Sequence, residues 1–287
     1  MTTRKIVQSI LSREQAEGVG ARVRRSIGTR ALRNLDPFLM LDEFYVKKPA
    51  GFQKHGHRGI QTVTYMLDGE VWHEDFKGHK GRIGPGDLQY MTAAKGIAHA
   101  EMPGTDKMAH GLQLWVNLSA KEKLGEPTYQ EYLAKDIKSV SPEEGVDIRV
   151  IAGESYDVHS PVKTVTPTMY IDVRLKKGKK MEQVIPKSYV GFIYTLTGTA
   201  MYGGDKHKSD AHHTLVLSDN GGTTIPVESL SDDCRFVVIA GEPIKEPIIQ
   251  YGPFVMNTEQ EIYQAFVDYE QGKNGFEGAP EWRPTIY

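Results

Sequence analysis

The chain has 287 residues, 39% hydrophobic and 25% charged, a balance typical of a folded globular protein and not of a disordered one. Its 35 Lys and Arg against 37 Asp and Glu leave a formal net charge of −2, which argues against a nucleic-acid coat protein or a polybasic membrane binder. The single cysteine, Cys234, excludes an internal disulfide scaffold. Without an apolar leader or a run of about 18 apolar residues, we expect a soluble intracellular protein.

Short segments rich in β-branched and aromatic residues follow one another along the chain, each ended by glycine, proline or a polar turn. This pattern is typical of an antiparallel all-β sandwich or barrel. Each segment has the length of a single strand. The clearest predicted strands are residues 62–67, 112–118, 168–175, 191–196 and 234–240.

Two capping boxes predict short helices. Ser119 with Glu122 indicates one, and Thr258 with Glu261 indicates a second near the C-terminus. Only the second is followed by apolar residues at helical spacing, and we expect it to end at Gly272. These apolar residues are Ile262, Ala265, Phe266 and Tyr269.

A weak internal repeat divides the chain. Residues 59–69 resemble residues 189–198, as two similar β-domains in tandem would. The stretch between them is charged and contains Ser141-Pro142. We therefore predict an N-terminal domain over 1–133, a linker over 134–145 and a C-terminal domain over 146–287.

Two three-residue motifs have the spacing of metal ligands on strands. His55-Gly56-His57 and His99-Ala100-Glu101 each place two side chains on one face, because alternate residues of a strand point the same way. Three imidazoles and a carboxylate are a complete ligand set for a mid-row divalent metal. The alternative, polar residues at hairpin ends without a metal, stays open at this point.

Other groups are weaker candidates. His73-Glu74-Asp75 with His79 has the residue types of a second ligand cluster, but 72–81 is more typical of a solvated hairpin. A basic run suggests contact with an acidic protein surface or phosphate, although a solvated strand face is the commoner explanation. That run comprises Arg22, Arg24, Arg25, Arg30 and Arg33.

Several long blocks of sequence closely resemble the pirin family along essentially the whole chain. The resemblance implies a bicupin: two tandem antiparallel β-barrels of the jelly-roll type, with a short C-terminal helix. It also implies one mononuclear iron (Fe2+/Fe3+) per chain in the N-terminal barrel, with ligands falling on His55, His57, His99 and Glu101. The matching blocks are residues 17–26, 35–38, 86–89, 96–103, 111–118 and 251–258.

Two of the chain's departures from the family pattern bear on the expected iron site. Gly56 stands where the family has proline, and the added backbone freedom, about 0.4–1 kcal/mol, predicts a slightly lower metal affinity. Gln61 stands where many other cupins have a glutamate ligand. Pirins take their carboxylate from the second motif, which here is Glu101.

The resemblance implies a nuclear transcription co-regulator, present in nucleus and cytoplasm. Pirins bind Rel-type (NF-κB) transcription factors and ankyrin-repeat co-activators, and the oxidation state of the iron switches the competent surface. Here Arg22, Arg24 and Arg25 are the predicted partner surface. We expect a monomer that does not bind membranes and does not bind DNA directly in a sequence-specific way.

Pirins also resemble quercetin 2,3-dioxygenases, and the resemblance implies that the same iron site supports this activity. The alternative is a primarily metabolic flavonol dioxygenase without a transcriptional role. Glu101 would then be both ligand and catalytic base. The sequence leaves switch and enzyme open. In either case the internal repeat aligns residues 181–186 with the segment that contains His55 and His57. Because residues 181–186 contain no histidine, we expect the second barrel to be metal-free.

Overall fold

Antiparallel strands make up most of the structure, a computed structural model that describes residues 2–219 and 221–287. The strands of the first half are β1 (Ile6–Leu11), β2 (Glu14–Glu17), β3 (Ala21–Ile27), β4 (Phe38–Val46), β5 (Phe52–His57), β6 (Ile60–Asp68), β7 (Val71–Asp75), β8 (Lys80–Ile83), β9 (Leu88–Thr92), β10 (Ile97–Pro103), β11 (Ala109–Asn117) and β12 (Thr128–Tyr132). Those of the second half are β13 (Ser139–Glu143), β14 (Val146–Ala152), β15 (Glu154–Ser155), β16 (Val158–His159), β17 (Thr168–Leu175), β18 (Lys180–Val184), β19 (Val190–Thr197), β20 (Thr199–Tyr202), β21 (His207–Asp210), β22 (His213–Leu217), β23 (Thr224–Ser229), β24 (Cys234–Gly241), β25 (Ile249–Tyr251) and β26 (Phe254–Met256). The helix α1 spans Glu259–Gln271.

The first compact unit contains two large sheets, the two-stranded sheet β25-β26 and the helix. It comprises residues 14–25, 38–134 and 244–287. Its seven-stranded sheet has the order β12-β9-β6-β11-β4-β3-β2, and its four-stranded sheet has the order β5-β10-β7-β8. We call this unit the first barrel.

The second compact unit repeats this arrangement. It comprises residues up to 13, 26–37 and 135–243. Its sheets have the orders β1-β22-β19-β24-β17-β14-β13 and β18-β23-β20-β21. Its core is closely packed with apolar side chains, including Met181, Ile185, Ile225 and Val227. We call this unit the second barrel.

The strand orders confirm the internal repeat. The two resembling segments form β6 and β19, and each is third in its seven-stranded sheet. In the four-stranded sheets β18 and β23 then correspond to β5 and β10. Where β5 and β10 carry histidines, β18 and β23 pair Met181 with Val227. The fold is the predicted two-barrel cupin.

One predicted helix forms and the other does not. The helix α1 begins at the capping box of Thr258 and Glu261 and ends at Gly272, whose φ of 63° is a conformation that glycine adopts without strain. Residues 119–125 instead form a turn, in which the backbone N–H groups of Glu122 and Lys123 both donate to the Ser119 carbonyl. A single turn without an apolar stripe does not propagate.

The compact units differ from the contiguous domains predicted, because each chain end packs with the other half of the sequence. Near the N-terminus, Arg4 is fully buried in the second barrel and donates to the Gly222 and Ser218 carbonyls, each at 2.6 Å. Near the C-terminus, Phe276 packs in one apolar cluster with Ala98 of β10. Within the predicted linker, residues 139–143 form β13, which pairs with β14.

No helix within residues 2–219 and 221–287 has the length and apolar character needed to cross a membrane.

Candidate metal centre

Three histidines come together on neighbouring strands of the first barrel. On β5 and β10, His55 lies directly opposite His99, and His57 is two residues further along β5. Directly paired and alternate residues of an antiparallel sheet share a face. We call His55, His57 and His99 the three-histidine cluster.

The ring nitrogens of this cluster converge on one point. His99 Nε2 lies 3.0 Å from His55 Nε2 and 3.1 Å from His57 Nε2. Ligands bound to one ion at about 2.0–2.2 Å stand roughly this far apart. His57 and His99 are each 1% exposed. The donor set therefore fits a single buried metal ion.

Neighbouring groups fix the orientation of two of the rings. His55 Nδ1 lies 2.7 Å from the Gln53 carbonyl oxygen, which accepts its N–H. This hydrogen bond leaves the lone pair of His55 Nε2 directed at the cluster, as in many metal-binding histidines. The His57 ring packs edge-on against Trp115, with centroids 5.3 Å apart. The cluster is thus preorganised by contacts outside it.

Burial keeps the imidazoles neutral, the form that binds metals. It lowers the pKa of His55, and with the nearby imidazoles it lowers the pKa values of His57 and His99 well below the usual range. Burial also raises the pKa of the Glu101 carboxyl to about 7. The interior of the barrel therefore disfavours uncompensated charge.

Glu101 lies on the same strand as His99 and is 5% exposed, but its carboxylate is not one of the converging ligand atoms. It stands opposite His73 of β7 in the strand register. Its role as fourth ligand stays a prediction.

A second set of ligand atoms forms where we expected a solvated hairpin. His73 is 2% exposed, and the Nε2 atoms of His73 and His79 lie 2.8 Å and 3.3 Å from Glu131 Oε1. We call these three residues the second cluster. The predicted hairpin forms, since β7 pairs with β8, but the prediction that it is solvated was wrong at His73, which β7 turns inward. Glu131 lies on β12, 52 positions after His79, so no local motif linked the two.

Gly56 has a packing role that the sequence did not indicate. A Cβ atom at this position would lie 2.8 Å from the Tyr269 ring, too close for an ordinary contact. Glycine therefore makes room for α1 beside the cluster. The predicted loosening of the backbone at Gly56 did not take this close packing into account.

The three predicted partner-surface arginines lie on β3 and are ion-paired within the chain. Arg22 and Arg24 contact Glu14, and Arg25 contacts Glu17 and Asp42, with Nη2 2.7 Å from Asp42 Oδ2. Side-chain exposure falls from 61% for Arg22 to 22% for Arg25. The local positive charge is thus largely balanced by neighbouring carboxylates.

Two barrels of the same strand order, the first of which carries the three-histidine cluster, define a bicupin with a candidate metal centre in its first barrel. Family models described as "Pirin" and "Pirin C-terminal cupin domain" match residues 20–116 and 170–275. The chain belongs to the pirin family.

Full-length relatives support this assignment. The chain is 52% identical to Pirin from Homo sapiens over 289 residues, covering 99% of each, and 52% identical to a pirin-like protein from Solanum lycopersicum, covering 97% of this chain and 96% of that one. A crystal structure of quercetin 2,3-dioxygenase from Acinetobacter baumannii is similar, with 33% identity and a TM-score of 0.87. That similarity covers 95% of this chain and 99% of the other.

Proposed function

We propose that this protein is an iron-dependent dioxygenase of the quercetin 2,3-dioxygenase type. The observation that carries the proposal is the convergence of three neutral imidazoles inside the first barrel, of which those of His57 and His99 are buried. Imidazole with carboxylate suits iron among other mid-row metals. The similarity to a quercetin 2,3-dioxygenase over almost the whole chain supports the substrate class.

The chain's own residues have distinct roles in this proposal. The three-histidine cluster would hold the metal, and the Trp115 ring against His57 restricts the movement of one ligand. Glu101 would accept the proton of the flavonol hydroxyl, since a positioned carboxylate in a buried site is a competent general base. Bound iron would supply open coordination positions and the electron chemistry that the reaction of dioxygen requires.

The test is oxygen uptake by the iron-loaded protein with quercetin, compared with Glu101→Gln at equal bound iron. We expect quercetin-dependent uptake by the wild type and a decrease of about 100-fold or more in the variant, because loss of a general base costs roughly 10²–10⁴-fold. Glu126→Gln, which alters an exposed carboxylate, is the control. Absence of uptake by the wild type, or full activity of Glu101→Gln, would contradict the proposal.

Redox-dependent association with a Rel-type partner in the nucleus and cytoplasm is a second proposal. The burial of His57 and His99 favours it, because a change between Fe2+ and Fe3+ adds a unit charge where solvent screens little. We expect the ferric form to bind such a partner about 5–150-fold more tightly than the ferrous form. Titration of both forms measures the ratio, and equal affinities would contradict the switch.

A further inference from the structure

The second cluster lies in the first barrel outside the three-histidine cluster. His73 lies on β7, His79 follows the turn after β7, and Glu131 lies on β12. Their ligand atoms all lie within 4.8 Å of one another. We propose that His73, His79 and Glu131 form a second metal site, which takes a divalent ion of the Zn2+ type.

The distances suit a tetrahedral ion. Bonds of about 2.0–2.2 Å at tetrahedral angles place neighbouring ligand atoms about 3.3 Å apart. Glu131 Oε1 lies 2.8 Å from His73 Nε2 and 3.3 Å from His79 Nε2. Small shifts would bring all three atoms to bonding distance of one ion. Two imidazoles and a carboxylate are a set that zinc uses, with water completing the coordination.

The His73 ring points to a ligand independently of these distances. Its side chain is 1% exposed, yet neither ring nitrogen has an aligned hydrogen-bond partner within residues 2–219 and 221–287. A buried polar group without a partner costs about 1–3 kcal/mol. The close approach of Nε2 to Oε1 is not an aligned hydrogen bond, and an ion between the two atoms would give this ring nitrogen a partner.

Glu131 is held as a carboxylate. Burial raises its pKa, but the neighbouring His73, Gln89 and His79 side chains outweigh this effect and lower the pKa to about 2. The Gln89 side chain, on the adjacent strand β9, donates a hydrogen bond to Glu131 Oε1, with a donor–acceptor distance of 2.8 Å. A hydrogen-bonded carboxylate of this kind is a common feature of metal sites.

The surroundings hold the rings in place and leave an open side. Tyr129 stacks on His79, with ring centroids 4.2 Å apart, and the His73 and His79 rings are 5.3 Å apart. A Cβ at Gly81 would clash with the His73 ring and lie 3.0 Å from Glu131 Oε1, so glycine makes room for the ring. The side chains of His79 and Glu131 are 34% and 32% exposed. Water can therefore reach the site.

Zn2+ titration of metal-free protein tests this proposal, with the bound equivalents counted by equilibrium dialysis and elemental analysis. We expect two equivalents for the wild type. His79→Ala and Glu131→Gln should each retain one, and both alter half-exposed residues, so the fold should tolerate them. His99→Ala should lose the equivalent of the three-histidine cluster and keep the other. Because His99→Ala removes only the ion of the three-histidine cluster, it shows whether a missing equivalent belongs to that cluster or to the second cluster.

His159→Ala is the matched control, because this exposed imidazole also lies beside a carboxylate, 3.5 Å from Glu154 Oε2. It should retain both equivalents. One equivalent in the wild type that survives both second-cluster variants would overturn the proposal. Two equivalents that persist in His79→Ala and Glu131→Gln would overturn it as well, as would loss of an equivalent in His159→Ala.

Discussion

Replacing His99 with alanine should reduce tightly bound iron from one per chain to near zero. His99 Nε2 is the central atom of the three-histidine cluster, 3.0 Å and 3.1 Å from its two neighbours. Without it only two imidazoles remain, and the loss of affinity should exceed the roughly 10–100-fold typical of changes outside the ligand set. Iron retained after anaerobic loading and desalting, measured per chain, gives the result.

The control for this experiment is His159→Ala, an exposed histidine of the second barrel. It should retain the wild-type amount of iron. Circular dichroism should show that His99→Ala keeps its strands, because iron loss in an unfolded chain would carry no information. One tightly bound iron per chain in a folded His99→Ala protein would show that the ligands have been assigned wrongly.

Replacing Asp268 with asparagine should destabilise the first barrel by about 3–5 kcal/mol, the cost of breaking a buried ion pair from one side. Asp268 on α1 lies 2.7 Å from Arg58, the residue after His57, and each side chain is 3% exposed. Arg58 also donates to the Lys95 and Asn274 carbonyls. The variant leaves a buried guanidinium without its counter-charge.

Urea unfolding followed by tryptophan fluorescence measures this effect, because Trp72, Trp115 and Trp282 all lie in the first barrel. Glu270→Gln, which changes an exposed carboxylate of the same helix, should stay within about 0.5 kcal/mol of wild type. A change for Asp268→Asn as small as that of this control would contradict the assigned role of the ion pair.

The same ion pair predicts how stability depends on pH. Burial raises the pKa of Asp268, but hydrogen bonds from Arg58, Gln264 and Asn274 outweigh burial and lower it below the ordinary value. The stabilisation is therefore complete above the pKa of an unfolded aspartate, about 3.9, and is lost as the pH falls through the lower folded pKa. Asp268→Asn should abolish this part of the acid dependence.

Local patterns predicted much of the fold. The predicted strand 168–175 agrees with β17, and 234–240 with all but the last residue of β24, because alternation and turn residues act within a few positions. The capping box of Thr258 placed α1 for the same reason. The failed helix at Ser119 had the box without the apolar stripe that would stabilise a helix by packing.

Long-range packing could not be predicted in the same way. The sequence placed His55, His57 and His99 on strand faces, and they meet because β5 and β10 pair. Nothing local to Glu131 linked it to His73, and nothing in α1 showed that it packs with the N-terminal half. Both contacts depend on the order of strands and segments in three dimensions, which a periodic pattern does not contain.

Diffraction from crystals of the iron-loaded protein, recorded at the iron absorption edge, would locate the iron directly. We expect an anomalous peak within bonding distance, about 2.0–2.3 Å, of the Nε2 atoms of His55, His57 and His99. Iron that binds elsewhere in the chain while this position shows no peak would contradict this expectation.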